Sequence, residues 1–274
     1  MVKIAIFQMR SGIDPAANAA ALVDAVGRAA AGGAAMLFTP EMSGLLDSNR
    51  ERAGIAVRSE DDDPVLAAVR EAAKANAIWI HLGSLALREG SGKLVNRGFV
   101  INASGDVAGR YDKMHLFDVD LPTGESWRES AVYQAGGEAV VIRGTPVGTL
   151  GLTICYDLRF PAIFERLSEA GAEVIAVPAA FTVPTGEAHW HVLLRARAIE
   201  AGLFVVAAAQ SGRHDDGRET YGHSLVVDPW GEVLIDGGEG ERLLFADLDL
   251  ERIADVRSRI PVMKHRRTIG PVND

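Results

Sequence analysis

Cys155 is the only cysteine in the chain, and its position suits a nucleophile. It follows an apolar stretch, 147–154, that predicts a strand, and it precedes a helix predicted over 160–170. A thiol on such a strand-to-helix turn lies near the positive end of a helix and near backbone N–H groups that can stabilise an oxyanion. The alternative is a buried cysteine that packs as a small hydrophobic side chain. Position alone does not decide between the two.

A nucleophilic thiol needs a base, and the tetrahedral intermediate that it forms needs a positive group. Glu41 comes directly after a strand predicted over 35–39, and Lys113 comes at the end of a strand predicted over 107–114. We therefore expect Glu41 to accept the thiol proton and Lys113 to stabilise the oxyanion. Either residue alone is also typical of a surface salt bridge. Glu129 is a further carboxylate, in an irregular segment (117–137) that we interpret as an active-site loop.

Apolar periodicity predicts an α/β protein with more strands than helices. Helices are predicted over 18–31, 61–76, 160–170 and 189–201, and strands over 2–9, 35–39, 78–87, 95–102, 107–114, 147–154, 174–179, 203–209, 224–228, 233–235 and 244–248. Two stacked sheets with helices outside would bury both faces of each sheet. The predicted fold is a four-layer α-β-β-α sandwich of two mixed sheets flanked by helices. No linker divides the chain, so we expect one domain over 1–274, with a C-terminal tail from about residue 258.

Composition restricts the classes of partner and compartment. Of the 274 residues 48% are hydrophobic, which is enough for a large core, and 28 Lys and Arg against 37 Asp and Glu give a net charge of -9. Such a charge repels nucleic acids and anionic membranes. One cysteine excludes an intrachain disulfide scaffold and suits the cytoplasm. His189 and His191 lie two apart on a predicted helix and face different sides, so we predict no metal site from them.

Three motifs surround these residues in a fixed order along the chain. They are Phe-Thr-Pro-Glu at 38–41, Tyr-Asp-Lys-Met-His-Leu-Phe-Asp at 111–118 and Gly-Leu-Thr-Ile-Cys-Tyr-Asp-Leu-Arg-Phe-Pro at 151–161. With them the sequence resembles the nitrilase superfamily of carbon–nitrogen hydrolases over nearly its whole length.

The resemblance implies a role for each matching position. It makes Glu41 the general base, Lys113 the lysine that stabilises the oxyanion, Cys155 the nucleophile, and Glu129 a second glutamate that supports the pocket. The backbone N–H of Tyr156 would complete the oxyanion hole. No cofactor is implied.

Further stretches, at 181–190, 195–200, 207–214 and 221–224, resemble the omega-amidase branch of the superfamily. The resemblance implies hydrolysis of deaminated glutathione or of an omega-amide of an α-keto dicarboxylate. An N-carbamoyl amidase or an aliphatic nitrilase would use the same three groups. A redox-sensing thiol protein and a catalytically silent binding protein are alternatives of another class.

The predicted substrate bears a carboxylate, and an acidic protein needs a local cation to bind it. We predict that Arg213, in a Gly-flanked loop, is that cation, although a solvated loop arginine is equally consistent with the sequence. Phe181 and Thr182 are predicted pocket walls by their family position. The resemblance also implies a homodimer or a higher homo-oligomer.

Overall fold

The computed structural model describes residues 1–90, 92–120, 124 and 126–272. The strands are β1 Val2–Gln8, β2 Met36–Phe38, β3 Trp79–Arg88, β4 Leu94–Ile101, β5 Val107–Asp112, β6 Asp118–Asp120, β7 Ser126–Arg128, β8 Val140–Thr145, β9 Gly148–Leu152, β10 Val174–Ala176, β11 Phe204–Ala207, β12 Ser211–Arg213, β13 Glu219–Tyr221, β14 Leu225–Val227, β15 Val233–Asp236 and β16 Arg242–Leu248. The helices are α1 Pro15–Ala31, α2 Arg50–Ala56, α3 Pro64–Asn76, α4 Pro161–Glu169, α5 Val183–Ala201, α6 Glu251–Arg259 and α7 Val262–His265.

Most strands belong to two six-stranded sheets, each of them mixed. The first has the order β16-β1-β2-β3-β4-β5, with β1, β2 and β3 parallel, and the second has the order β15-β14-β11-β10-β9-β8, with β9, β10 and β11 parallel. Antiparallel strands flank the parallel strands in both sheets. Two short hairpins, β6-β7 and β12-β13, lie outside the sheets.

Strand β1 shows how the layers stack. Ile4 and Ile6 belong to the core between the two sheets, whereas Ala5 and Phe7 point to the other face and pack with Leu22 of α1 and its neighbours. Because successive side chains of a strand alternate between faces, a strand that is apolar at every position must be covered on both sides. Helices α1 and α3 cover the first sheet, and α4 and α5 cover the second. The predicted α-β-β-α sandwich is confirmed.

Local signals account for several helix ends. Asp14 accepts a hydrogen bond from the N–H of Ala16 and Asp63 accepts one from Leu66, and each is followed by a proline in the first helical turn. In contrast, α5 begins at residue 183, six residues before the predicted start. Pro184 lies in the first turn of the helix, where a proline is tolerated, and a Cβ at Gly186 would overlap the Tyr221 ring.

The segment 117–137, predicted to be irregular, contains the β6-β7 hairpin and a short helical turn over Glu129–Ala131. Strands of three residues are too short to give a detectable period. Residues 121–123 and 125 of this segment lie outside the described residues. Among the described helices, none has the length and apolar character needed to cross a membrane.

Candidate active site

Cys155 lies just beyond the carboxyl end of β9, at the first position of a tight helical turn over Cys155–Arg159. Its φ angle is 47°, a left-handed conformation that non-glycine residues rarely adopt. Its N–H donates to the carbonyl of Pro178, and the buried carboxylate of Asp157 accepts from the N–H of Ile154. The same carboxylate accepts from the Tyr111 hydroxyl at 2.7 Å. These bonds hold the strained turn and fix the direction of the thiol.

Glu41 follows β2 and is almost completely buried. Its Oε2 accepts a hydrogen bond from the backbone N–H of Ala180 at 3.0 Å, and its Oε1 accepts from the Lys113 Nζ at 2.8 Å. The backbone carbonyl oxygen of Glu41 accepts a hydrogen bond from the side-chain amide of Gln210 at 2.9 Å. The carboxylate is therefore held by both sheets of the sandwich, because β2 belongs to the first sheet and residue 180 follows the second.

Lys113 follows β5 and lies between two carboxylates. Its Nζ is 2.8 Å from Glu41 Oε1 and 2.9 Å from Glu129 Oε2, and only 3% of its side chain is exposed. Burial by itself would lower the pKa of Lys113, but the negative charges of Glu129 and Glu41 outweigh burial and hold this pKa well above its usual value. The ammonium group is therefore fully charged at neutral pH.

The environment of Cys155, in contrast, favours the neutral form of its thiol. Burial and the negative charge of Glu41 raise its pKa well above the usual value, and the positive charge of Lys113 offsets only part of that effect. The resting nucleophile is accordingly a neutral thiol next to a carboxylate. Such a thiol needs a general base at the moment of attack.

Glu129 is fixed by the loop that carries it. Its Oε2 accepts from the backbone N–H of Phe117 at 2.6 Å as well as from Lys113. The structure thus brings together the four side chains predicted from sequence: Glu41, Lys113, Glu129 and Cys155 all line one cavity of about 530 Å³.

Asn96 is a site residue that sequence reasoning missed. It is buried in β4, and its Nδ2 donates to Glu41 Oε1 at 2.9 Å and to Glu129 Oε1 at 3.3 Å. The backbone carbonyl oxygen of Asn96 accepts a hydrogen bond from the backbone N–H of Lys113. An asparagine within a predicted strand is the only signal in the sequence, and it does not indicate which groups the amide will meet.

The structure places the predicted pocket walls at the cavity and the predicted cation outside its described lining. Phe181 and Thr182 line the cavity, and so does Tyr156. Arg213 does not: it ends β12, pairs across the hairpin with Glu219, and is exposed outside the described lining of the cavity. The structure therefore corrects the sequence-based choice of cation.

Other arginines line the cavity instead. The guanidinium of Arg159 lies 5.4 Å from the ring centre of Phe181 and 5.9 Å from that of Tyr156, and it forms no ion pair with a carboxylate of the described residues. Arg128 and Arg218 pair with Asp120 and Asp216. Arg159 is thus a cavity arginine that has aromatic contacts and is available to an anion. Its position in the third motif, four residues after Cys155, was a signal that sequence reasoning did not use.

Comparisons with known proteins agree in architecture and family. Residues 3–258 match the family model described as carbon-nitrogen hydrolase. A deaminated glutathione amidase from Yersinia enterocolitica is 38% identical over 270 residues, which cover 97% of this chain and 93% of that protein.

Two solved structures superpose over nearly the whole chain. The NitFhit protein of C. elegans is 38% identical with a TM-score of 0.89, over 97% of this chain and 65% of that one. The E41Q mutant of an amidase from Nesterenkonia sp. AN1, with the acetamide moiety of fluoroacetamide added covalently at its active site cysteine, is 26% identical with a TM-score of 0.82, over 97% and 94% of the two chains.

Proposed function

Because the chain belongs to the carbon-nitrogen hydrolase family, we propose that it is an amidase that hydrolyses a small linear amide through a thioester on Cys155. The observation that carries the proposal is the convergence of the Cys155 thiol, the Glu41 carboxylate and the Lys113 ammonium at one cavity. The family resemblance noted in the three sequence motifs is confirmed by the match over residues 3–258.

Glu41 begins the reaction by accepting the proton of the Cys155 thiol as sulfur attacks the amide carbon. The carbonyl oxygen becomes an oxyanion, which the Lys113 ammonium stabilises together with the N–H of Tyr156. That N–H lies in the first turn of a helical segment, where N–H groups have no partner within the helix. A burial of 97% for the lysine side chain makes its charge more effective than it would be in water.

The carbon–nitrogen bond then breaks, and protonated Glu41 gives its proton to the departing amine. The acyl group remains on sulfur as a thioester. Glu41 next accepts a proton from water, the resulting hydroxide attacks the thioester carbon, and the carbon–sulfur bond breaks to release a carboxylic acid. The thiolate recovers its proton from Glu41. Glu129 and Asn96 touch neither reacting atom in this scheme; they position Glu41 and Lys113.

We propose deaminated glutathione, or an omega-amide of an α-keto dicarboxylate, as the substrate. The name of the Y. enterocolitica relative supports this class. A cavity of about 530 Å³ falls within the roughly 300–1,000 Å³ typical of sites for ligands of drug-like size. Arg159 offers a substrate carboxylate a guanidinium that has no carboxylate partner among the described residues; its Nη1 lies 3.2 Å from His189 Nδ1. Thr182 and Thr185 add hydroxyl groups to the same wall.

The test is a substrate panel assayed with wild type and Cys155→Ala. Amine or ammonia release is measured from deaminated glutathione, 2-oxoglutaramate, a simple aliphatic amide, a nitrile and an N-carbamoyl amino acid. We expect the highest kcat/KM for one of the first two and no turnover by Cys155→Ala. Turnover by that variant would contradict the mechanism, and preference for the nitrile or the carbamoyl compound would contradict the substrate class.

The chain is further proposed to form a homodimer, as the family resemblance implies. Val192 and Ile199 on α5 are 68% and 49% exposed, and Trp230 is 51% exposed, so apolar surface is available for a second copy. Light scattering at micromolar concentration tests this proposal; a monomer mass would contradict it. A single domain with a tail from about residue 258, and residence in the reducing cytoplasm that a free reactive thiol requires, complete the proposal.

A further inference from the structure

A second group of chemically active side chains lies outside the active-site cavity, on the other side of the wall that Phe181 and Thr182 form. His191 of α5, His223 in the loop before β14, and Asp236 at the end of β15 each point a ligand-type atom at the same place, and these atoms all lie within 4.8 Å of one another. The three side chains come from three separate elements, so the fold and not local sequence assembles them. We refer to them as the His-His-Asp cluster.

One carboxylate connects both imidazoles in this cluster. Asp236 Oδ2 lies 3.0 Å from His191 Nε2, and Asp236 Oδ1 lies 2.8 Å from His223 Nδ1. In a tetrahedral zinc site with ligand bonds of about 2.0–2.2 Å, neighbouring ligand atoms lie roughly 3.3–3.5 Å apart. The two histidine–aspartate separations are already close to that spacing.

The surroundings of the cluster hold its shape. His223 has a φ angle of 52°, and its backbone is fixed on both sides, because its N–H donates to Gly238 and its carbonyl accepts from the Trp190 indole at 2.7 Å. The Tyr221 ring stacks on the His223 ring at a centroid distance of 4.4 Å. The N–H of Gly238 donates to Asp236 Oδ1 at 2.9 Å, which orients the carboxylate. Such outer contacts are what orient metal ligands in known sites.

The local charge favours a cation. Asp236 places a carboxylate between the two imidazoles, and Glu187 lies four residues before His191, one turn away on α5. The exposed fractions of the His191, His223 and Asp236 side chains are 33%, 23% and 37%, so an ion can enter from solvent.

We propose that the His-His-Asp cluster binds a late first-row divalent metal ion such as Zn²⁺, held by His191 Nε2, His223 Nδ1 and Asp236. Two imidazoles and one carboxylate form a donor set that such ions prefer, and water would complete the coordination. The ion takes a lone pair on each of these two ring nitrogens, so a proton carried there in the free protein moves to the other ring nitrogen or to solvent.

Binding would brace the wall of the active-site cavity from behind. The N–H of Tyr221 donates to the carbonyl of Phe181 at 2.9 Å, and Thr182 pairs with Thr220 in a β-bridge. The ion would therefore connect α5 and β15 to the strand that supports Phe181 and Thr182. Because only the folded chain presents all three ligands, the ion should raise the melting temperature.

The test uses the full chain carrying Cys155→Ser, because the thiol of Cys155 could bind Zn²⁺ at a second place and obscure the result. Zn²⁺ is titrated by calorimetry into this protein and into the same protein with His191→Ala added. We expect one ion per chain, an affinity at least about tenfold lower with His191→Ala, and a Zn²⁺-induced rise in melting temperature that His191→Ala abolishes. His189→Ala, two residues away on the same helix and outside the cluster, is the matched control and should bind as the parent does.

Two further measurements complete the design. Co²⁺ in place of Zn²⁺ should give the intense visible absorption of a low-symmetry site in the Cys155→Ser protein and lose it with His191→Ala. Asp236→Asn, which preserves the shape of the side chain, is a second ligand variant and takes the place of His191→Ala if that variant does not fold. The proposal is overturned if the Cys155→Ser protein binds no Zn²⁺, or if His191→Ala and Asp236→Asn bind it as the parent does. None of these readouts depends on amide turnover, so the proposal and the proposed function can fail separately.

Discussion

Replacing Lys113 by methionine leaves two buried carboxylates without their shared cation. Glu41 and Glu129 both contact the Lys113 Nζ, at 2.8 and 2.9 Å, and their side chains are 6% and 12% exposed. Removing one partner of a buried ion pair typically costs about 3–5 kcal/mol in the free energy of unfolding. We expect a loss in that range for Lys113→Met at neutral pH.

The loss should depend on pH with a definite sign. The carboxylate oxygens that contact one nitrogen lie within about 6 Å of each other, where two charges repel by roughly 3 kcal/mol at an effective dielectric constant near 20. In the variant, a proton taken up by either carboxylate removes that repulsion. The folded variant therefore binds a proton that the unfolded chain releases more readily, and its stability falls as pH rises through the range in which this proton is lost.

The wild type does not share this dependence. Lys113 has a raised pKa, so its stabilising contribution is complete below its unfolded value of about 10.4 and is lost only as pH rises through the higher folded value. Urea unfolding of both proteins near pH 5 and near pH 8 measures the difference, which should be smaller at the lower pH. Lys113→Met combined with Glu129→Gln removes the repulsion and should recover most of the stability and lose the pH dependence. A Lys113→Met variant as stable as wild type near pH 8, or a pH-independent loss, would refute this reasoning.

Three other substitutions separate chemistry, binding and folding. Glu41→Gln should lower turnover by at least about 10²-fold, since a general base contributes 10²–10⁴-fold. Intact-mass measurement should still find Cys155 alkylated by fluoroacetamide, and normal turnover would exclude Glu41 as the base. Arg159→Gln should lower kcat/KM for a carboxylate-bearing amide by about 10- to 100-fold, which is the value of a charge-assisted hydrogen bond. A neutral amide is the control, and equal effects on both amides would contradict a contact between Arg159 and the substrate carboxylate. Leu22→Ala, buried between α1 and the first sheet, should cost about 2–5 kcal/mol in urea unfolding without changing kcat; a stable variant would contradict the packing.

The parts of the site that the sequence predicts are those that follow strand ends. Glu41, Lys113 and Cys155 each come one to three residues after a strand. Strands β2 and β5 run in the same direction in the first sheet, so their carboxyl ends lie at one edge of that sheet, and β9 brings Cys155 from the second sheet. Motif and position therefore agree, and periodicity is enough to place the residues on elements. The sandwich is predictable for the same reason, because its strands are apolar at consecutive positions and must be covered on both faces.

The parts that the sequence does not predict depend on contacts between distant segments. Asn96 lies in the middle of a strand, and only tertiary structure brings its amide to two carboxylates. Arg213 and Arg159 both come after a predicted strand. Only the tertiary structure shows that Arg159 lines the cavity, whereas Arg213 is exposed in the β12-β13 hairpin. In the sequence, His191 can be compared only with His189, which lies two residues away on the same helix. In the structure its partners are His223 and Asp236, which lie 32 and 45 residues further along the chain.

The charges at the site favour a general-base mechanism over a preformed thiolate. Two carboxylates, one ammonium and a neutral thiol give the cluster a net charge of -1, and Glu41 is the group whose charge most opposes ionisation of Cys155 after burial itself. A resting thiolate would add a second net negative charge in a buried site that has one cation. Attack on an amide removes this obstacle, because the proton moves to Glu41 while the new charge develops on the carbonyl oxygen. Glu41 is then neutral, and Lys113 is left with Glu129 as its remaining anionic partner, so its charge becomes available to the oxyanion. The same transfer that creates the nucleophile thus increases the electrostatic stabilisation of the intermediate.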